Sequence, residues 1–287
     1  MPEQGGCLVR RRARSGAGSR GARVRAVRIL AALAIAFGLM VGGCGSGQAS
    51  RQDRSVSRSA CEELDFDGSD FTVCTAISGQ HAIRLALNGR DGKPLRSLQH
   101  LADDQFHSAA PAFAMNAGMF DENGMPIGLY VEGGKQDTSL NRRTGPGNFH
   151  MLPNGVFYGD AAGWHVATTG AFALQSPPGL QFATQSGPML VIDGKLHPDF
   201  ASDGDSRYVR NGVGIGPDGR ALFAISAKPV SFGKLARLFR DRLKCRNALY
   251  FDGFVSSLWD PAQARRDEGP PLGPLVVVEL TRRAAPP

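Results

Sequence analysis

The 287-residue chain is 42% hydrophobic and 21% charged, ordinary values for a soluble globular protein with a sizeable core. Its net charge of +7 is confined to one end: eight arginines and one acid precede residue 44, leaving 25 basic and 25 acidic residues beyond it. A neutral body argues against a basic nucleic-acid-binding surface.

In chain order, the eight arginines precede an apolar run from Ile29 to Val41, too short for a comfortable membrane span and built like an export signal. Val41-Gly42-Gly43-Cys44 then resembles the lipobox of bacterial lipoproteins, which implies lipidation at Cys44 and a membrane partner through that anchor. Residues 1–43 are thus read as a signal or lipoprotein leader and residues 44–60 as a flexible tether, rich in Gly, Ser, Gln and Arg. A single domain is expected over residues 61–287, exported to the bacterial envelope in the periplasm or on the cell surface. In that compartment disulfides persist, and Cys61 and Cys74 are expected to pair, with Cys245 a buried thiol.

Strand-like pieces at Phe71–Ile77 and Ala82–Leu87, separated by Ser78-Gly79-Gln80, predict a hairpin. A short helix is expected over Leu98–Phe106, with Leu98, Leu101 and Phe106 inward. Turn signals at Pro153-Asn154-Gly155, Ile192-Asp193-Gly194 and Pro217-Asp218-Gly219 predict three more hairpins. One convincing helical period follows: Ser231 caps a segment in which Leu235, Leu238, Phe239 and Leu243 share a face. That helix leads into a short buried strand at 249–251, and Leu275–Leu280 reads as a last buried strand. The expected class is therefore α+β, a mixed but mostly antiparallel sheet with few covering helices.

Four segments interrupt an apolar strand with polar groups and glycines. They hold Asn116, Gly118 and Phe120; Gln185, Ser186 and Gly187; Arg210 and Asn211; and Asp252, Gly253, Ser256 and Ser257. Each has a plain alternative: Asn116 braces a turn, Gln185 satisfies a loop, Arg210 pairs with a surface acid, and Asp252 bonds its own turn. Together they supply amides, hydroxyls, an arginine and a carboxylate, the groups that grip a sugar and an anion. Other chemistries lack their patterns. The histidines have no metal-ligand spacing, Gly212-x-Gly214-x-Gly216 lacks the following helix of a dinucleotide site, and neither Ser256 nor Ser257 sits in a Gly-x-Ser-x-Gly elbow. No metal and no cofactor are expected.

In order, Asn116-Ala117-Gly118-Met119-Phe120, Gln185-Ser186-Gly187-Pro188, Arg210-Asn211-Gly212-Val213-Gly214 and Asp252-Gly253-Phe254-Val255-Ser256 resemble the phosphodiester glycosidase family. The family includes the lysosomal uncovering enzyme and many exported bacterial proteins. The resemblance implies hydrolysis of a sugar-1-phosphodiester at the glycosidic carbon–oxygen bond. It implies Asp252 and Arg210 as catalytic groups, Arg210 on the phosphate, and the remaining residues of the four segments as substrate ligands. Ala117 and Phe254 stand where relatives commonly have glycine, adding side chains beside the expected cavity, and Asn211 stands where a small hydroxyl residue is usual. The rival expectation is a non-enzymatic envelope lipoprotein that binds glycan or cell-wall polymer through the same cavity.

Overall fold

The computed structural model describes residues 59–104 and 110–281. The leader, Cys44 and nearly all of the tether lie outside those residues, as does Phe106. The chain begins with a hairpin of β1 (Cys61–Phe66) and β2 (Ser69–Ala76), followed by β3 (His81–Ala86), α1 (Leu98–Asp104) and β4 (Phe113–Asn116). Then come β5 (Tyr130–Glu132), β6 (Lys135–Thr138), β7 (Gly155–Asp160), β8 (Gly163–Thr168), α2 (Thr169–Gln175), β9 (Phe182–Ser186), β10 (Met189–Ile192) and β11 (Lys195–Leu196). The last third holds β12 (Asn211–Ile215), β13 (Ala221–Ser226), α3 (Phe232–Arg237), β14 (Asn247–Tyr250), β15 (Leu258–Asp260), β16 (Arg265–Arg266) and β17 (Leu275–Leu280).

These strands form three sheets: a seven-stranded one in the order β1-β2-β13-β12-β14-β10-β11, and two five-stranded ones, β16-β15-β4-β17-β3 and β6-β5-β9-β7-β8. The expected α+β class holds, and the single mixed sheet resolves into three antiparallel ones. Their inner faces share one core. Phe157 of the third sheet packs edge-on against Phe223 of the first with ring centroids 5.7 Å apart, and Phe223 meets Phe113 of the second at 5.3 Å. Phe251, one residue before Asp252, lies 6.4 Å from the same Phe157 ring and is wholly buried. Burial of a side chain that size stabilises by roughly 1.5–3 kcal/mol, so the Asp252 turn starts from a firmly anchored point. Over the outer face of the first sheet lies α3, whose buried Leu235 and Ala236 continue into Leu238 and Phe239 of a following wide turn. Ser231 caps it as expected, accepting from Lys234 N at 3.1 Å.

Two expectations require correction. β2 and β3 are not a hairpin: β2 pairs with β1 and β13 in the first sheet, whereas β3 pairs with β17 in the second. The true partner of β2 is reached through Asp67-Gly68, both at positive φ (53° and 67°), a tight hairpin signal that sets Cys61 opposite Cys74. Those cysteines form the expected disulfide. Pro153-Asn154-Gly155 joins a loop to β7 instead of turning a hairpin, because Asn154 donates back to Phe149 O at 2.9 Å. The Asp193 and Asp218 turns do connect antiparallel neighbours. A helix that the sequence reading passed over, α2, is capped by Thr168, which accepts from Ala171 N at 3.2 Å.

Candidate active site

Two crossovers between sheets meet at the ends of β4 and β12. The chain leaves the first sheet at Tyr250, makes a single 3₁₀ turn at Gly253–Val255, and enters the second sheet at Leu258. It passes from the third sheet to the first through Ser186-Gly187-Pro188, and Tyr250 N donates to Pro188 O at 3.1 Å. Antiparallel pairing of Gly212 with Tyr250, and donation from Phe251 N to Asn211 O, bring Arg210 and Asn211 beside the Asp252 turn.

Asn116 fastens that turn. From the last position of β4 its Nδ2 donates to the Asp252 carbonyl at 3.0 Å, and its Oδ1 accepts from Ser257 N at 3.0 Å, so one amide ties both ends of the 252–257 crossover. Asn211 Nδ2 donates to the same Oδ1 at 2.7 Å, and Ser256 Oγ donates to Asn211 Oδ1 at 3.2 Å and Val209 O at 3.0 Å. Asn116, Asn211 and Ser257 are buried, so this network is sheltered from competing water.

The Asp252 carboxyl is half-buried and accepts one bond, from Phe254 N at 3.2 Å. Burial, with that amide opposing, raises its pKa above the usual carboxylate range, the direction a proton-transferring group at neutral pH requires. Gly253 cannot be larger: a Cβ there would stand 1.9 Å from the Tyr250 hydroxyl. Phe254, by contrast, is 75% exposed beside the carboxyl.

The other expected ligands are placed differently. Gln185 is saturated: its Oε1 accepts from Leu129 N and Asn141 N, each at 2.9 Å, and its Nε2 donates to Asn141 O and Thr169 Oγ1 at 2.7 and 3.0 Å. This buried amide braces the 127–141 region and has no capacity left for sugar. Ser186 is on the opposite face of β9, the face on which Thr184 Oγ1 accepts from Gly118 N, and its buried hydroxyl has no partner among the described residues. A Cβ on Gly118 would lie 2.4 Å from Gln185 O, and one on Gly187 would lie 2.6 Å from Asn154 Cβ, so both glycines serve close packing between segments. Phe120 packs on Gly273 beneath the Arg96 guanidinium, 5.5 Å from its ring centroid.

Arg210 is also corrected as a direct phosphate ligand. Its side chain is wholly buried, with Nε donating to Val230 O at 2.9 Å, Nη1 to the Tyr250 hydroxyl at 3.0 Å, and Nη2 to Ser206 O and Oγ at 2.9 and 3.0 Å. The guanidinium lies 3.6 Å over the Phe232 ring, and burial lowers its pKa from the ordinary arginine value. Tyr250, within the short buried strand expected at 249–251, brings a phenol to the strand end two residues before the Asp-Gly turn, a signal carried by the tyrosine itself.

Comparison with known proteins bears on what this arrangement is for. The phosphodiester glycosidase family model matches residues 110–266, more than half of the chain and all four segments. The chain belongs to that family. It is 37% identical over 169 residues to the uncharacterized protein YigE of Escherichia coli K12, an alignment covering 59% of this chain and 66%, just under two thirds, of the relative. The fold resembles the catalytic domain of zebrafish N-acetylglucosamine-1-phosphodiester alpha-N-acetylglucosaminidase, auto-inhibited by its pro-peptide: TM-score 0.54 and 13% identity, over 77% of this chain and 82% of that one. A hypothetical protein from Synechocystis is similar at TM-score 0.51 and 14% identity, over 77% and 61% of the two chains.

Proposed function

We propose that this phosphodiester glycosidase family member hydrolyses the glycosidic bond of a sugar-1-phosphodiester outside the cytoplasm, held to the membrane by a lipid on Cys44. The observation that carries the reading is the Asp252 carboxyl, raised in pKa and bonded once, at a turn held by Asn116 and Asn211. Ordinary glycosidases use two carboxyl groups because the leaving oxygen is poor and must be protonated. A phosphate monoester leaves with its charge already spread, so one carboxyl suffices when donors receive that charge. Asp252 takes the proton of the attacking water as the carbon–oxygen bond breaks and the electron pair stays on the phosphate oxygen. Asn116 keeps the turn in register.

Incubation with a panel of sugar-1-phosphodiesters, with detection of free reducing sugar, tests the reading, and oxygen-18 water locates the broken bond. Label in the sugar supports glycosidic cleavage, while label in the phosphate identifies a phosphodiesterase instead. Binding across the panel without release of sugar identifies the non-enzymatic glycan-binding alternative. Metabolic labelling with a fatty-acid probe, lost in Cys44→Ser, tests the anchor.

A further inference from the structure

Arg210 presents a buried cation whose recorded partners are all neutral oxygens: Val230 O, Ser206 O and Oγ, and the Tyr250 hydroxyl. A guanidinium removed from water without a carboxylate is costly, and here those acceptors and the Phe232 ring, 3.6 Å away, offset the cost. The Tyr250 phenol is the member of that set reaching toward the Asp252 turn. It accepts from Arg210 Nη1 at 3.0 Å and lies against Gly253, where any Cβ would stand 1.9 Å from it. A phenol that accepts still carries a proton to donate. Its own proton must go elsewhere, and no acceptor for it occurs among the described residues. Among the described residues no hydrogen bond joins the phenol to the Asp252 carboxyl, which is one residue before Gly253. Tyr250 is 1% exposed, its ring held edge-on by Phe232 with centroids 4.7 Å apart, and its hydroxyl end against Gly253 is the part nearest the half-buried Asp252.

We infer that Tyr250 donates its hydroxyl hydrogen bond to the departing phosphate oxygen, and that Arg210 is a positioning residue that delivers its charge through the phenol without touching substrate. The inference rests on the sugar-1-phosphodiester reading. A cationic donor on the phenol oxygen polarises its O–H bond, so the phenol becomes a stronger donor while remaining protonated. Its pKa, pushed up to about 12 chiefly by burial, keeps the proton in place at neutral pH. The balance is simple: the sugar carbon–oxygen bond breaks, its electron pair stays on phosphate, water supplies the new oxygen, Asp252 receives the water proton, and Tyr250 keeps its own.

Tyr250→Phe keeps the ring packing and removes the donor. With the sugar-1-phosphodiester the wild type turns over, kcat should fall about a hundredfold with KM nearly constant. The loss should be larger for a methyl phosphodiester, whose phosphate leaves reluctantly, than for a p-nitrophenyl one. A merely structural tyrosine gives the same loss with both leaving groups, and that result overturns the inference. Arg210→Lys should add little to the loss in a Tyr250→Phe background; additive losses indicate direct contact between Arg210 and substrate and also overturn it. Should Arg210→Lys fail to fold, the leaving-group series on Tyr250→Phe alone decides. Wild type inactive on every phosphodiester removes the functional reading and this inference together, whereas active wild type with an equally active Tyr250→Phe removes only the inference.

Discussion

Two buried amide clusters, built from the same kinds of residue, end with different hydrogen-bonding capacity. At Gln185 the amide meets Leu129, Asn141 and Thr169 and ends with four hydrogen bonds and no remaining capacity. At Asn116 a second amide gathers Asn211, Ser256, Ser257 and the Asp252 carbonyl, and the cluster ends in a carboxyl with one bond and a raised pKa. Saturation suits a brace, and leftover capacity is what the proposed site requires. Both clusters lie within the stretch matched by the family model, so membership alone does not separate the two.

Asp252→Asn breaks the comparison most sharply. Asn still accepts from Phe254 N but cannot take a proton, so turnover should drop about a thousandfold with the fold intact by circular dichroism. Activity within tenfold of wild type would place the chemistry elsewhere.

Gln185→Leu strikes the other cluster. It strips acceptors from two buried amide hydrogens and a donor from Asn141 O, at a cost of about 3 kcal/mol or more. The denaturation midpoint should fall accordingly while kcat per folded molecule is retained. Lost kcat at unchanged stability would instead make Gln185 a substrate ligand.

The pH dependence of stability sharpens the contrast in a third way. Because the folded Asp252 pKa is raised by burial, the unfolded chain releases its proton first as pH rises. Stability is therefore lost between the ordinary carboxylate pKa and the higher folded value, and the loss persists above it. Asp252→Asn should melt higher than wild type at pH 7, with the difference disappearing below about pH 4. Gln185 carries no such titration, and its variants should keep a constant deficit across that range.

Phe254→Ala is the mildest change. A side chain 75% exposed contributes little to stability, within about 0.5 kcal/mol, yet its residue donates to the Asp252 carboxyl through its amide. Its removal should change KM and the preference among sugars with an unchanged melting temperature; an unaltered substrate profile would show that the ring faces away from bound substrate.

Much of the plan was legible in the chain itself. The α3 cap at Ser231, the buried strand leading to Asp252, the closing strand β17, the Cys61–Cys74 bond and the family motifs were all readable, because caps, periodicity and turn residues are local. Pairing was not. Alternation told that β2 and β3 have buried faces but not that they belong to different sheets, since a period of two specifies a face and leaves the partner open. The roles of Asn116, Gln185 and Arg210 were undecided for a related reason. Asn116 meets Asp252 136 residues away and Asn211 95 away, while Gln185 is filled by Asn141 44 residues away. Whether a polar group ends saturated or available depends on such distant partners. The sequence by itself determined which chemical groups reach the strand ends, and only the tertiary structure decided which of them still had a hydrogen bond to give.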